Sequence, residues 1–157
     1  MIVCGDRKGR VGLGYGKANQ VPNAIEKAQK KAKREMREFP LTGTTIPHEV
    51  TGRFGACSVR LVPASPGTGV IAGAAVRAVL DLLGVQDCLS KAYGSTNNKN
   101  LTKAVIDGLR QLRSRETVER LRKVTIDKTH TETSHEKTPV AVDVSRNEEN
   151  ISEEVTA

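Results

Sequence analysis

The stretch from Pro63 to Val85, PASPGTGVIAGAAVRAVLDLLGV, constrains the fold more than any other part of the chain. Prolines and a glycine at its start interrupt any preceding strand, and a long apolar run follows until Gly84, a residue type that commonly ends helices. The pattern predicts a buried helix with Thr68 as its N-cap. One helical row of it would combine two glycines with the only two charges: Gly69, Gly73, Arg77 and Asp81. The glycines of that row would admit another backbone closely while the other sides fill a core.

Composition limits both the core and the partners. Aromatic residues make up 3% of the 157 residues and there is no Trp, so Val, Ile, Leu and Ala must fill the core, which suits small layers better than a large enzyme cavity. Residues 1–124 carry 22 Lys or Arg against 10 Asp or Glu, whereas residues 125–157 carry 3 against 8. A positive field of this size indicates a polyanionic partner, with nucleic acid favoured over a membrane surface.

The cysteines and the N-terminal text bear on the compartment. Cys4, Cys57 and Cys88 have no short C-x-x-C spacing, which favours reduced thiols over a disulfide or metal role. The opening MIVCGDRKGR holds no apolar segment long enough for a signal sequence, and no run reaches membrane-spanning length. We therefore expect a cytoplasmic protein without a metal site, a cofactor or a membrane contact.

Residues 1–40 predict a strand hairpin followed by a helix. Ile2–Cys4 and residues 10–16 are the predicted strands, and the alternating glycines of the second indicate a close neighbour. The helix is predicted over Val21–Phe39, with Pro40 after its end and a basic outer face. Two strands alone are marginal in water, so a third partner strand is needed.

Residues 46–124 predict a second unit of order β-β-α-β-α after a linker at 41–45. Its first two strands lie within 46–62, with Arg53 at the tip of a turn near 52–55. After the central helix come a strand near 87–93, a polar loop at 94–100 and a helix from Leu101. From residue 125 onward Thr, Ser and Glu dominate without an apolar period, which predicts a disordered acidic tail.

Two glycine-rich segments invite a nucleotide-binding interpretation. GRVGLGYGKA fails the dinucleotide fingerprint, because Lys17 or Asn19 stands where glycine is required, and it fails the Walker pattern at Ala18. Residues 63–69, P-x-x-x-G-x-G, resemble the phosphate loop of the small-molecule kinases that include galactokinase and homoserine kinase, but lack the Leu and paired serines that follow in those loops. With no nucleophile–base pair elsewhere, we expect no catalytic residues.

Three blocks of the chain carry a further resemblance: GDRKGRVGLGYGKANQVPNAIEKA, PASPGTGVIAGAAVRAVLDLLGV and KAYGSTNNKNLTKAVIDGL. In order and spacing they resemble the bacterial small-subunit ribosomal protein S5 family over residues 2 to about 124. The resemblance implies an α+β fold of two small modules. The first, residues 1–40, would be a truncated sheet and helix similar to the double-stranded-RNA-binding fold, and the second, residues 46–124, a β-α sandwich of the S5 C-terminal type.

The resemblance also implies the function. Members are non-enzymatic constituents of the small ribosomal subunit that bind ribosomal RNA, contact ribosomal proteins S4 and S8, and help form the messenger RNA entry channel, with an influence on accuracy. Gly69 and Arg77 match the surface toward S4, and Gly73 lies on the same row. The polar loop matches an RNA-facing loop, and basic residues at several turns would reach phosphates. The implied RNA-binding residues are Arg7, Lys8, Arg10, Lys17, Arg53, Ser95, Thr96, Asn97, Asn98 and Lys99.

The family pattern departs from this chain before Ile2, where it has about one more strand and a basic, glycine-containing loop that contacts RNA. A start codon assigned too late, or a fragment, would account for the difference. The first sheet is then expected to have an open edge. Two alternatives to a ribosomal constituent are a free-standing RNA-binding module and a degenerate protein of the small-molecule kinase fold.

Overall fold

The computed structural model of the chain describes residues 1–123, which form two sheets and four helices. The first sheet has the antiparallel order β1-β2-β3, and the second has the order β4-β5-β7-β6, in which only β6 and β7 run parallel. The strands are β1 Ile2–Gly5, β2 Arg10–Gly14, β3 Arg37–Glu38, β4 Val50–Phe54, β5 Cys57–Pro63, β6 Val70–Ile71 and β7 Cys88–Gly94. The helices are α1 Val21–Arg34, α2 Ala74–Leu83, α3 Asn98–Gln111 and α4 Arg115–Arg122. The predicted α+β class is confirmed, whereas the predicted acidic tail, 125–157, lies outside the described residues.

Helix α1 packs directly on the glycines of β2. A Cβ atom added at Gly14 would collide with the Ala28 carbonyl, and one added at Gly12 would collide with the Ala32 carbonyl. Both alanines are buried. The prediction that the glycine series admits a close neighbour is confirmed, and the neighbour is the helix backbone itself.

The predicted end of the first helix is wrong. Helix α1 ends at Arg34, and Arg37–Glu38 pair with β2 as the third strand of the sheet, in the register Arg10↔Glu38. Phe39, predicted as the last helical residue, donates its N–H to the Gly9 carbonyl at 2.8 Å and is 5% exposed. Its apolar spacing continued the helical period, but this segment pairs its backbone with the free edge of β2 instead. The third strand that the hairpin needs is thus supplied.

The second sheet also packs on a helix, α3, through a glycine in one of its strands. Gly52 in β4 lies against the Ala104 carbonyl and the backbone of Gly108, so that a Cβ atom at Gly52 would have no room. The turn between β4 and β5 falls at Gly55–Ala56, not near 52–55, and Arg53 lies within β4 rather than at the tip. The predicted apolar face of α3 is confirmed, since its members are buried: Leu101, Val105, Leu109 and, directly after the helix, Leu112.

The central helix starts later than predicted. Thr68 is not its N-cap; α2 begins at Ala74 with Gly73 as N-cap, and Val70–Ile71 form strand β6. Gly67 and Gly69 adopt φ angles of 88° and 76°, a left-handed conformation that interrupts any right-handed helix. The predicted stop is confirmed, because Gly84 ends the helix at φ 100°. Only Arg77 and Asp81 of the predicted row lie on the helix.

One apolar core connects the two sheets. Val11 and Phe39 from the first sheet region belong to the same buried cluster as Val59, Leu80 and Leu109. The turn between β1 and β2 also docks on the C-terminal end of α2, where the N–H groups of residues 7 and 9 donate to the carbonyls of residues 82 and 83 at 3.0 and 2.9 Å. The predicted domain limits, with a linker at 41–45, stay a prediction. Within residues 1–123, no helix is both long and apolar enough to cross a bilayer.

Candidate nucleic-acid interface

The turn that presents Arg7 and Lys8 is built around Asp6. Its carboxylate accepts hydrogen bonds from the N–H groups of Lys8 at 2.8 Å and Arg10 at 3.1 Å, which closes the turn. The Lys8 N–H is the main cause that lowers the pKa of the Asp6 carboxyl below its usual value. Both basic side chains are exposed, and Arg7 adopts a φ of 58°. The predicted position of these cations in a turn is confirmed, and their RNA contact stays a prediction.

Arg10 and Lys17, two other residues predicted to bind RNA, lie in different surroundings. Arg10 pairs with Glu38 across the sheet at 3.4 Å, and both side chains are more than half exposed. Lys17 lies beside Lys27 and Lys30 around a shallow surface depression near the start of α1. Glu26 also lines the depression, so three lysines face one carboxylate there, and the first turn of the helix holds no acidic residue.

The predicted polar loop and Arg53 lie at the same end of the second sheet. The Ser95 N–H donates to the carbonyl of Ala56 in the β4–β5 turn at 3.0 Å. The loop is shorter than predicted, because Asn97 caps α3 by accepting from the Lys99 N–H at 3.0 Å. Asn98 and Lys99 therefore belong to the first helical turn, while Ser95, Thr96 and Asn97 remain exposed loop residues.

The predicted protein-interface residues do not share a helical row, so that expectation is wrong. Gly69 precedes α2, Gly73 caps it and Arg77 lies on it, paired with Asp81 at 3.6 Å. Gly69 and Arg77 nevertheless line one shallow cavity. A Cβ atom at Gly69 or Gly73 would meet nothing within 4 Å. The bare backbone is thus open on this side rather than covered by the chain itself.

That same cavity contains a residue assigned to RNA. Arg7 from the β1–β2 turn lines it beside Gly69 and Arg77, because the turn docks on the end of α2. Sequence reasoning separated these residues into two surfaces, since nothing in the spacing shows that the turn folds back onto the helix.

The loop at 63–69 binds a carboxylate of the same chain. The Gly69 N–H donates to Asp87 Oδ1 at 2.9 Å, and Asp87 is only 4% exposed. This N–H, aided by the Thr44 hydroxyl and the backbone at 67 and 68, lowers the pKa of the Asp87 carboxyl. Backbone amides of the kind that cradle phosphate in kinase loops are therefore directed at an internal carboxylate.

Sequence reasoning named Lys99 but missed the row of cations that begins there on the outer side of α3. Lys99 lies over the Tyr15 ring at 4.2 Å, and Lys103, four residues on, lies over the Phe54 ring at 4.5 Å. Arg110 follows on the same side of the helix. The spacing i, i+4, i+11 was present in the sequence and could have found this row.

The comparisons with known proteins agree with this architecture. The family model described as "Ribosomal protein S5, N-terminal domain" matches residues 1–40, and "Ribosomal protein S5, C-terminal domain" matches residues 52–122. The chain belongs to the ribosomal protein S5 family. The resemblance identified in the sequence is thereby confirmed.

Individual relatives are similar over nearly the whole described part. The small ribosomal subunit protein uS5 of Syntrophobacter fumaroxidans is 57% identical over 122 residues, which cover 78% of this chain and 74% of that protein. The protein of the same name from Thermus thermophilus is 56% identical over 123 residues, covering 78% and 76%. That of Rubrobacter xylanophilus is 55% identical over 126 residues, covering 80% and 63%.

Proposed function

We propose that the chain is a structural constituent of the small ribosomal subunit that binds ribosomal RNA and neighbouring ribosomal proteins in the cytoplasm. Membership of the S5 family carries this proposal, together with the name small ribosomal subunit protein given to relatives 55–57% identical. At such identity over a shared fold, the set of partners is expected to be shared as well.

The charges of the described residues support RNA as the main ligand. Residues 1–123 carry 22 Lys or Arg, and five of these form ion pairs with acidic side chains within the same range. The remaining cations lie largely on the surface, where phosphate groups are suitable counterions. RNA affinity is therefore expected to fall steeply with salt. Each phosphate neutralised should make the slope of log K against log salt concentration more negative by roughly 0.7–0.9.

The finer partners are part of the proposal. Arg7, Lys8, Arg10, Lys17, Arg53 and the segment Ser95–Lys99 would contact RNA, and the surface of Gly69, Gly73 and Arg77 would contact ribosomal protein S4. Contacts with S8 and with messenger RNA at the entry channel, and an influence on accuracy, follow from the same assignment. Open space at both glycines supports a partner whose backbone approaches closely.

An enzymatic role is not proposed. The kinase-like loop directs the Gly69 amide to Asp87, and the loop leads into strand β6 instead of into a helix N-terminus. Both features leave the loop without the phosphate site that the kinase alternative needs.

Sedimentation tests the proposal. The purified chain, added to small subunits depleted of their own S5 protein, should migrate with the subunit in a sucrose gradient at moderate salt and be released at high salt. Recovery only at the top of the gradient would favour a free-standing RNA-binding module, and measurable ATP binding would favour the kinase alternative.

The protein interface has a matched test. Arg77→Glu and Arg115→Glu each turn a surface i,i+4 ion pair into a like-charge pair, so each should cost about 0.5–1 kcal/mol of stability. Arg77→Glu should reduce incorporation of S4 into reconstituted subunits, whereas Arg115→Glu should not. Equal incorporation for both variants would refute the interface assignment.

A further inference from the structure

A groove runs between the first sheet and helix α3. It is a cavity of about 410 Å³, with Arg37 and Phe39 on the side of β3 and with Phe54, Lys103 and Arg110 on the side of β4 and α3. Its floor is apolar and belongs to the shared core, because Phe39 is 5% exposed. The groove walls are polar and accessible.

The groove carries more positive than negative charge. Two carboxylates line it, and both are already engaged: Glu35 pairs with Lys31 at 3.7 Å, and Asp107 Oδ2 accepts from the Arg53 N–H at 3.1 Å and from Gln111 Nε2 at 3.2 Å. The three cations Arg37, Lys103 and Arg110 have no acidic partner within residues 1–123. The groove therefore offers free positive charge.

The positive row continues beyond this cavity along α3. A second cavity of about 180 Å³ shares Lys103 and Glu35 with the first and extends to Lys99 and Tyr15. Lys99, Lys103 and Arg110 lie on one side of the helix, and at a rise of about 1.5 Å per residue the row from 99 to 110 is roughly 16 Å long. A row of this length is long enough to face several successive phosphates of one strand.

The two ammonium groups are held in place before any ligand arrives. Lys99 and Lys103 each lie over an aromatic ring, at 4.2 and 4.5 Å from the centroids of Tyr15 and Phe54. Cation–π contacts of this kind contribute about 0.5–1 kcal/mol at exposed sites, enough to restrict two flexible side chains without neutralising their charge. Less side-chain entropy is then lost when a phosphate binds.

We propose that this α3 groove, formed by Arg37, Lys99, Lys103 and Arg110, binds the sugar-phosphate backbone of an RNA strand. The proposal rests on the proposed function, because it extends the RNA contact inferred for Lys99 to Arg37, Lys103 and Arg110. Two of the four groups are lysines, which act as point charges, and the two arginines can each hold a phosphate with paired N–H donors.

The test compares two triple variants of the full chain. Lys99→Gln, Lys103→Gln and Arg110→Gln remove three charges from the groove, and the control removes the same residue types from exposed positions elsewhere, with Lys33→Gln, Lys91→Gln and Arg120→Gln. Binding to transcribed small-subunit ribosomal RNA is measured at several salt concentrations. The groove variant should bind at least tenfold more weakly at moderate salt, and its salt slope should fall by roughly 2–3, at 0.7–0.9 for each phosphate contact. The control should lose less than threefold.

Each outcome decides the matter. If the parent chain binds RNA and the groove variant behaves like the control, the groove proposal is overturned while the proposed function stands. If the groove variant keeps its RNA affinity but fails to enter subunits, the groove faces an acidic protein and the proposal is again overturned. A parent chain that does not bind RNA overturns both proposals.

A single substitution replaces the triple variant if the triple variant does not fold. Should the triple variant lose its circular-dichroism melting transition, Lys103→Gln is compared with Lys91→Gln. The former should lower the salt slope by about one contact, roughly 0.7–0.9, and the latter should not. An unchanged slope for Lys103→Gln overturns the groove.

Discussion

Replacing Gly14 by alanine tests the close contact between β2 and helix α1. The added Cβ atom would collide with the Ala28 carbonyl and would lie 2.6 Å from the Ala32 nitrogen. Both atoms belong to the helix backbone, so no side-chain rotation can relieve the collision. The helix must therefore move away from the sheet as a body, or the strand must bend.

The expected cost follows from that geometry. Overpacking by a methyl group commonly costs about 1–3 kcal/mol, and a collision with rigid helix backbone at two residues falls at the upper end, about 3 kcal/mol. The buried Ala28 and Ala32 are 2% and 0% exposed, so any retreat of the helix also loses their packing. For a folded part of this size, about 3 kcal/mol lowers the melting temperature by roughly 12 °C.

Thermal and urea unfolding followed by circular dichroism measure the effect. Gly73→Ala is the matched control, because an added Cβ atom there meets nothing within 4 Å and φ is −65°. Its gain of about 0.4–1 kcal/mol from a less flexible unfolded chain is offset by the poorer N-cap, so its net change should stay within about 1 kcal/mol. Equal melting temperatures for the two variants would refute the contact. Gly52→Ala should repeat the loss, since its Cβ atom would collide with α3.

Three further predictions concern single groups. The pKa of Asp87 is lowered in the folded state, so its carboxylate stabilises the fold above the unfolded pKa of about 4, and this stabilisation is lost as the pH falls through the folded value. Asp87→Asn should therefore unfold at lower urea concentration at pH 7. Its stability should also depend less on pH below pH 4. Burial raises the pKa of Cys88 to about 11, so iodoacetamide at pH 8 should label the half-buried Cys4 before Cys88, and equal rates in the native protein would contradict the burial. Asn97→Ala should cost about 1 kcal/mol in urea unfolding, more than Ser114→Ala, because Asn97 caps the buried α3 and Ser114 caps the exposed α4; equal losses would contradict this ranking.

Sequence periodicity predicted the elements whose apolar faces are buried. It failed where pairing between backbone groups distant in sequence determines the local structure. The face of α3 and the stop at Gly84 were predicted correctly, since both depend on local residues. The strand at Arg37–Glu38 was missed because two residues carry no period, and only the free edge of β2 selects them. The late start of α2 was missed because the hydrogen bond from Gly69 to Asp87 joins residues 18 positions apart.

The candidate interface was predictable as residue types but not as surfaces. Basic turns and the polar loop were found from composition, whereas the placement of Arg7 beside Gly69 and Arg77 required the docking of the β1–β2 turn on α2. The α3 groove needs two distant aromatic residues under two lysines of one helix. Spacing along a single element reveals the lysines, but the rings beneath them come from β4 and from the segment after β2.

Helix α3 combines two tasks on opposite sides, and this separates stability from RNA affinity. Its inner side buries Leu101, Val105 and Leu109 in the core that both sheets share, so the helix cannot shift without unfolding the second sheet. Its outer side carries Lys99 and Lys103, whose charges contribute little to that core. A rigid inner side thus fixes the spacing of the outer cations, and a row of fixed spacing is what a regular phosphate backbone can match. Loss of charge on this helix should therefore change the salt dependence of RNA binding while leaving the melting temperature nearly constant.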